Sequence, residues 1–232
     1  MEEYVVLETT QETPDIRTIS FTRKDGLVPH FTAGQYITVS FPGLNPVEGK
    51  AYSISCPPDL GHMTITVKKI GLFSNKICSL QKGDSFSGSA PYGFLFDDIG
   101  KNIVLIGAGV GISPLMSILE ASLPVLRERQ ITLLLSNKTT EDICFRSRLL
   151  QLASLNNDNF RLSLHITQKS DSKIPHINRR ITVKEYFDTS TLDVDDDYIL
   201  CGSIDFVKSI YSDLLKLSVP KENISTEIFF ES

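Results

Sequence analysis

The chain contains no tryptophan and only three methionines in 232 residues. Its four cysteines, Cys56, Cys78, Cys144 and Cys201, form no Cys-x-x-Cys pair and have no companion histidines. That spacing excludes a zinc site or iron–sulfur cluster of ordinary type and makes free, reduced thiols the expectation. His30, His62, His165 and His176 do not cluster, and no Ser/His/Asp or Cys/His arrangement points to hydrolysis, so no metal and no triad are expected. The longest apolar stretch, Ile103 to Ile112, carries three glycines and is far shorter than the ~20 residues that cross a bilayer. Lys and Arg are dispersed apart from pairs such as Lys68-Lys69 and Arg179-Arg180, and the net charge is −5. No basic stripe suits nucleic acid. Met1-Glu2-Glu3-Tyr4 is acidic where a secretory leader would be basic, so a cytoplasmic location is expected.

What is present is ordinary globular material: 41% hydrophobic and 22% charged residues. The length suits two domains of about 100 to 130 residues each. Up to about residue 97 the pattern is one of short strands, at 4–7, 16–22, 35–41, 52–55, 63–69 and 85–89. Thr18-Ile19-Ser20-Phe21 and Thr64-Ile65-Thr66-Val67 alternate with period two, as half-buried antiparallel strands do. Asp25-Gly26, Ala33-Gly34, Pro42-Gly43 and Gly83-Asp84 punctuate them. A six-stranded antiparallel β-barrel is expected, with one helix over 74–81.

From Asn102 the grammar changes to alternating strands and helices. Strands are expected at 103–106, 131–135, 161–166, 198–201 and 224–229, and helices at 114–127, 141–153, 183–186 and 205–217. Runs such as Ile103-Val104-Leu105-Ile106 suit central parallel strands covered on both faces, so the second half reads as an α/β nucleotide-binding domain. The expected domains are residues 1–98 and 99–232.

Gly107-Ala108-Gly109-Val110-Gly111-Ile112-Ser113-Pro114 reads as strand, glycine turn and helix start, with Ser113 at the N-cap and Pro114 at the first helical position. Such a start favours anionic or carbonyl ligands, and the glycines let a flat ring approach the backbone. The spacing is not Gly-x-Gly-x-x-Gly, and the loop alone is balanced between a cofactor floor and a tight structural turn. Lys50-Ala51-Tyr52-Ser53 alone is more readily an aromatic and a hydroxyl on a barrel strand. In company with Gln35-Tyr36, Lys68 and Gly71-Leu72-Phe73-Ser74 it outlines a cradle for a flat ring with a phosphate tail.

In the order of these segments the chain resembles the ferredoxin–NADP reductase superfamily over nearly its whole length. Ala33-Gly34-Gln35-Tyr36, Ser53-Ile54-Ser55, Leu80-x-x-Gly83-Asp84 and Ala90-Pro91-x-Gly93 look most like its oxygenase-reductase and flavohaemoglobin-reductase branch. The resemblance implies FAD in the barrel and NADH or NADPH on the α/β domain. By that likeness Lys50 stands for the family's pyrophosphate-binding arginine and Tyr52 and Ser53 contact the isoalloxazine. Tyr36 and Lys68 border it, and Gly71, Ser74 and Asn75 lie along the phosphates. Gly107, Gly109, Val110, Gly111, Ser113 and Pro114 take the nicotinamide. Cys201-Gly202 and the terminal Glu227-x-Phe229 border the reaction site, with Ser53, Glu227 and Cys201 as catalytic candidates.

Two residues depart from the family pattern. Lys50 keeps the charge but loses the planar fork of Arg. Ser203 replaces the proline expected after Cys201-Gly202, and a buried structural thiol stays open for Cys201. Dinucleotide preference should be set near Ser136-Asn137-Lys138 and Thr167-Gln168-Lys169. There Lys138, Arg146 or Lys169 would meet a 2′-phosphate, while Gln168 stands where phosphate-selective relatives commonly carry arginine. The sequence ends without an iron–sulfur domain, so electrons are expected to leave to a separate carrier of ferredoxin or flavodoxin type, or to a small-molecule acceptor. Reduction of free flavin, and a non-catalytic electron-relay subunit, are the alternative readings.

Overall fold

The computed structural model describes residues 1–27, 29–95, 98, 100–125, 128–156, 158–168 and 173–229. Its first domain is an antiparallel sheet of β1 (Glu2–Thr13), β2 (Ile16–Arg23), β3 (Tyr36–Ser40), β4 (Lys50–Ser53), β5 (Met63–Lys68) and β6 (Ser85–Gly88). Their order is β4-β3-β6-β1-β2-β5. β1 runs well past the expected Leu7 because register shifts between Val6 and Glu8 and between Gln11 and Thr13 let it bend while staying paired, breaking the alternation that marks a strand. Tyr4, Phe21 and Phe86 fill the interior, with ring centroids 5.1 to 5.5 Å apart.

The sheet curls until β4 and β5 face each other. They are joined by one bridge, Ile54 to Ile65, and by Ser55 N–H donating to Thr64 O at 2.9 Å. The two edges meet only there, so the expected barrel stays open, with no ladder joining the strands along Lys50–Ser53. α1 (Leu72–Ser79) packs at this gap, burying Phe73, Ile77 and Cys78. It begins two residues before the expected Ser74. Gly71 is the cap, and Ser74 Oγ accepts the N–H groups of Ile70 and Gly71, at 3.0 Å each.

The second domain is a parallel sheet of β7 (Ile103–Ala108), β8 (Ile131–Asn137), β9 (Phe160–Ile166), β10 (Asp197–Ser203) and β11 (Ile224–Phe229), in the order β11-β10-β7-β8-β9. α2 (Ile112–Ser122) and α3 (Arg146–Leu155) cover one face, where Leu105, Leu133, Leu135 and Ile199 point. α4 (Val183–Asp188) and α5 (Ile204–Lys216) cover the other, over Val104, Ile106, Leu134 and Leu200. Burial on both faces explains why these strands show no alternation. The expected 98/99 boundary lies in the connection from β6 to β7, where residues 96, 97 and 99 are outside those described.

In the second domain two helix starts differ from expectation by more than one residue. Gly109–Gly111 winds into a 3₁₀ turn that runs directly into α2, so Gly111 is the cap, and Ser113 and Pro114 are the second and third helical residues. Proline is tolerated there because the first-turn N–H groups have no intrahelical acceptor. The helix expected over 141–153 is split. Asp142 Oδ2 accepts both N–H and Oγ1–H of Thr139, at 2.9 Å each, holding Thr140–Asp142 as a 3₁₀ turn. Phe145, left-handed at φ 54°, then restarts the chain as α3.

The domains share an extended contact. Ile16 of β2 belongs to the same apolar cluster as α2 and β7. Ser117 Oγ on α2 donates to Cys56 O at 2.6 Å, Ser113 Oγ to Ser53 O at 3.3 Å, and Phe145 N–H to Glu12 Oε2 at 2.9 Å. Among the described residues no helix is long and apolar enough to cross a membrane, and no group of three or more His, Cys, Asp or Glu stands ready for a metal.

Candidate functional site

In the second sheet the chain proceeds outward from β7 through β8 to β9, then returns to place β10 and β11 on the other side of β7. The carboxyl ends of β7 and β10 therefore flank a topological switch point, where open α/β sheets bind ligands. The loop after β7 crosses the end of β10 so closely that a Cβ on Gly111 would lie 2.4 Å from Cys201 O. Gly109, by contrast, has φ +54° and open space where a Cβ would stand. One glycine permits the crossing of two backbones, and the other leaves a bare floor.

Two clefts meet here. The proximal cleft, about 400 Å³, fills the gap between β4 and β5, with Lys50, Tyr52 and Ser53 on one wall, Thr66 and Lys68 on the other and Gly71 and Ser74 at the start of α1. Val110, Ser113, Glu227 and Phe229 reach it from the second domain. The distal cleft, about 270 Å³, runs over Gly109, Asn137, Lys138, Thr167, Gly202 and Ser203. Lys68, Ile70, Val110 and Phe229 line both. A ligand in either cleft is thus in reach of one in the other.

Ser53 and Glu227 form the centre of the junction: Ser53 Oγ donates to Glu227 Oε1 across the domain boundary. Ser53 is 4% exposed. Burial pushes the Glu227 carboxyl above its ordinary range, and the Ser53 hydrogen bond opposes that only in part. Tyr52 lies nearly parallel to Phe73, at 18° and 6.5 Å between centroids, so its ring is fixed from behind, and burial raises its phenol. Lys68 Nζ stands 3.7 Å from Asp15 Oδ2.

Other expected residues lie outside the two clefts. Tyr36 pairs with Ser53 across β3 and β4, and its ring packs on Tyr92 at 4.4 Å. Asn75 is exposed on α1, outside the lining of the proximal cleft. Gly107 answers to packing, since a Cβ there would meet Leu115 Cδ1 at 2.8 Å. Pro114 is buried in α2. Cys201 is fully buried in the core and lines neither cleft; burial, then the Glu227 carboxylate, pushes its thiol well up. Its neighbour Gly202 lines the distal cleft. Of the residues named for a 2′-phosphate, Arg146 faces a different groove beside Thr10–Pro14, Gln168 is not among the cleft-lining residues, and Lys169 lies outside the described residues. Ile70, Asp15 and Asp142 join the lining without a sequence signal, because only tertiary packing brings them there.

A parallel sheet with a glycine floor at its switch point, docked edge to edge on an open barrel, defines a two-domain protein with a ligand site where the domains meet. Comparison with known proteins gives its class, oxidoreductase. The family described as the oxidoreductase NAD-binding domain matches residues 105–211. Oxidoreductase NAD-binding domain-containing protein 1 of Bos taurus is 30% identical over 85% of this chain and 71% of its own. Flavohemoprotein A of Dictyostelium discoideum is 30% identical over 98% of this chain, which spans 60% of that protein. The FAD/NAD-binding domain of nitric oxide dioxygenase from Vibrio cholerae superimposes with a TM-score of 0.86 at 26% identity, covering 98% of each chain. The chain belongs to the oxidoreductase NAD-binding family.

Proposed function

We propose that the protein is a flavin-dependent NAD(P)H oxidoreductase, with a flavin domain at residues 1–98, a dinucleotide domain at 99–232 and electrons leaving to a separate acceptor. The observation that carries this reading is the shared wall of the two clefts, Lys68, Ile70, Val110 and Phe229. The cofactors are FAD and a nicotinamide dinucleotide. FAD suits the proximal cleft on the structure's own terms. A flat ring finds the Tyr52 face and the Ser53 hydroxyl, and a pyrophosphate finds Lys50, Lys68 and the free N–H groups at the start of α1. Bound there, FAD would supply the redox chemistry that links the reduced nicotinamide to the acceptor.

The chain's own residues place and shield. Gly109 and Val110 give the nicotinamide a floor, and Phe229 lines both clefts where they meet. Ser53 Oγ donates its proton in a hydrogen bond to Glu227 Oε1 at the junction, out of bulk water. Cys201 acts as packing under the loop. The acceptor we favour is a protein carrier of ferredoxin or flavodoxin type.

An absorption spectrum of the purified protein followed by anaerobic titration with NADH and NADPH tests the reading. A yellow protein that keeps FAD through gel filtration and is bleached by a dinucleotide supports it. A protein that leaves its flavin behind yet reduces added flavin is a free-flavin reductase. A flavin band that neither dinucleotide bleaches identifies an electron-relay subunit and overturns the reductase.

A further inference from the structure

α2 ties the two clefts together. It grows out of the 3₁₀ turn whose Gly109 lines the distal cleft, and its flank touches the strand that carries Ser53. Ser113 and Ser117, four residues apart and so neighbours on one face of the helix, are both buried. Both hydroxyls cross the domain boundary: Ser113 Oγ donates to Ser53 O at 3.3 Å, and Ser117 Oγ to Cys56 O at 2.6 Å. A serine within a helix commonly turns its hydroxyl back onto the carbonyl four residues earlier. Here the hydroxyls serve the other domain. On its β5 side the backbone they hold is tied, among the described residues, by the Ile54 to Ile65 bridge and by Ser55 N–H donating to Thr64 O. Those bonds fix the segment within the barrel and leave its place against the second domain to Glu227 and the two serines.

We propose that Ser117 is a positioning residue for the reaction, its bond to Cys56 O setting the spacing between the Gly109–Val110 floor and the strand that carries Ser53. This rests on the reading of the proximal cleft as the flavin site and of that floor as the nicotinamide site. Ser117 lines neither cleft, so it touches no ligand and acts through the chain alone. Ser113 lines the proximal cleft, and its loss would mix contact with placement. Ser117 separates the two.

The helix is a suitable ruler because its own place is fixed. Gly111 seats the start of α2 on β10, where a Cβ would lie 2.4 Å from Cys201 O. Ile112, Leu115, Met116 and Leu119 are buried in the core of the second domain. On the receiving side, Cys56 is followed by Pro57 and Pro58, whose rings lock φ. A shift at Cys56 is therefore passed back toward Ser53 rather than absorbed further along. Hydride, two electrons with one proton, passes from the dinucleotide ring to the flavin only at close approach. A displacement of about 1 Å that begins far from the reacting atoms can slow such a step about 100-fold, while affinities spread over two large ligands change little.

Ser117→Ala tests this, because alanine is the stronger helix former and only the donor is lost. In the flavin-free protein, amide hydrogen exchange at Ile54 and Ser55 should be at least ~10-fold faster in the variant. In the flavin-loaded protein, FAD and dinucleotide affinities should stay within about 3-fold of wild type, while bleaching at saturating dinucleotide slows by about 10- to 100-fold. The long-wavelength absorption band of a reduced nicotinamide stacked on flavin should weaken with it. Ser117→Cys, similar in size and with a weak S–H donor, should fall between the two. Exchange at Ile54 and Ser55 equal to wild type overturns the tether. A bleaching rate and stacking band equal to wild type, in a variant that is merely less stable, overturn the positioning role and leave the reductase standing. A wild-type flavin that neither dinucleotide bleaches overturns both.

Discussion

Ser53 and Glu227, 174 positions apart in the chain, are joined by a hydrogen bond from the serine hydroxyl to the carboxylate. One ends β4 of the barrel and the other sits on β11, the edge strand of the parallel sheet. The bond therefore reports the docking of the domains as directly as any contact in the molecule. Ser113 Oγ, donating to Ser53 O, adds a second tie at the same point.

Removing the Ser53 hydroxyl breaks its hydrogen bond to Glu227 at the junction without altering the glycine floor. For Ser53→Ala we expect NADH-driven bleaching of the flavin band to slow by about 10- to 100-fold, with dinucleotide affinity within about 3-fold of wild type. Stopped-flow rates paired with a binding titration check this. An unchanged rate would remove Ser53 from the reaction centre.

Glu227 gives the protein a pH signature whose sign follows from burial. Its folded pKa is raised above the ordinary 4.5, so the folded state binds more protons than the unfolded one in the window above 4.5. The contribution of Glu227 to stability is then fully present below that value and is lost as pH rises through the folded pKa. Glu227→Gln cannot ionise. Its melting temperature relative to wild type should climb as pH rises from about 4.5 and level off once wild-type Glu227 is fully ionised. A difference that stays flat with pH would show that burial does not perturb this carboxyl.

The architecture was legible because it rests on local period. Alternation in Thr64-Ile65-Thr66-Val67 and the unbroken apolar run Ile103-Val104-Leu105-Ile106 mark antiparallel and parallel strands, although Thr64 and Thr66 are buried too, their hydroxyls bonded to those of Ser55 and Thr18. The ordered motifs likewise located Lys50, Tyr52, Ser53, Gly109 and Glu227 on the clefts. What stayed hidden depends on neighbours distant in sequence. Cys201 adjoins a cleft-lining glycine but faces the core, since strand alternation carries its side chain the other way. Ser113 resembles a helix cap until the 3₁₀ turn at Gly109–Gly111 moves the start forward. Lys138 drew attention by its charge, while the burial of its neighbour Asn137 shows only in the fold.

The two glycines of the loop should separate on mutation. Gly111→Ala places a methyl 2.4 Å from Cys201 O, a backbone atom that cannot swing aside. We expect a loss of about 3 kcal/mol, seen as a lowered denaturant midpoint. Gly109→Ala meets no atom within 4 Å and carries only the strain of φ +54°, about 1 kcal/mol. Its effect should instead fall on dinucleotide affinity, weakened about 10-fold, because the new methyl stands on the cleft floor. Equal stability losses for the two variants would contradict this division.

Lys50 tests the phosphate end of the flavin cleft. It is exposed on β4, where a lysine presents a compact point charge and an arginine would present a planar fork able to bind two phosphate oxygens at once. Lys50→Arg should tighten FAD by about 3- to 10-fold, and Lys50→Ala should weaken it by about 10-fold, with both effects shrinking in high salt because the site is open to solvent. Quenching of flavin fluorescence on titrating apoprotein measures each constant. Because Lys50 touches neither Ser53 Oγ nor Glu227, the rate of bleaching in flavin-saturated Lys50→Ala should match wild type, and a slowed rate at saturation would mean that this lysine aligns the ring as well as anchoring its tail.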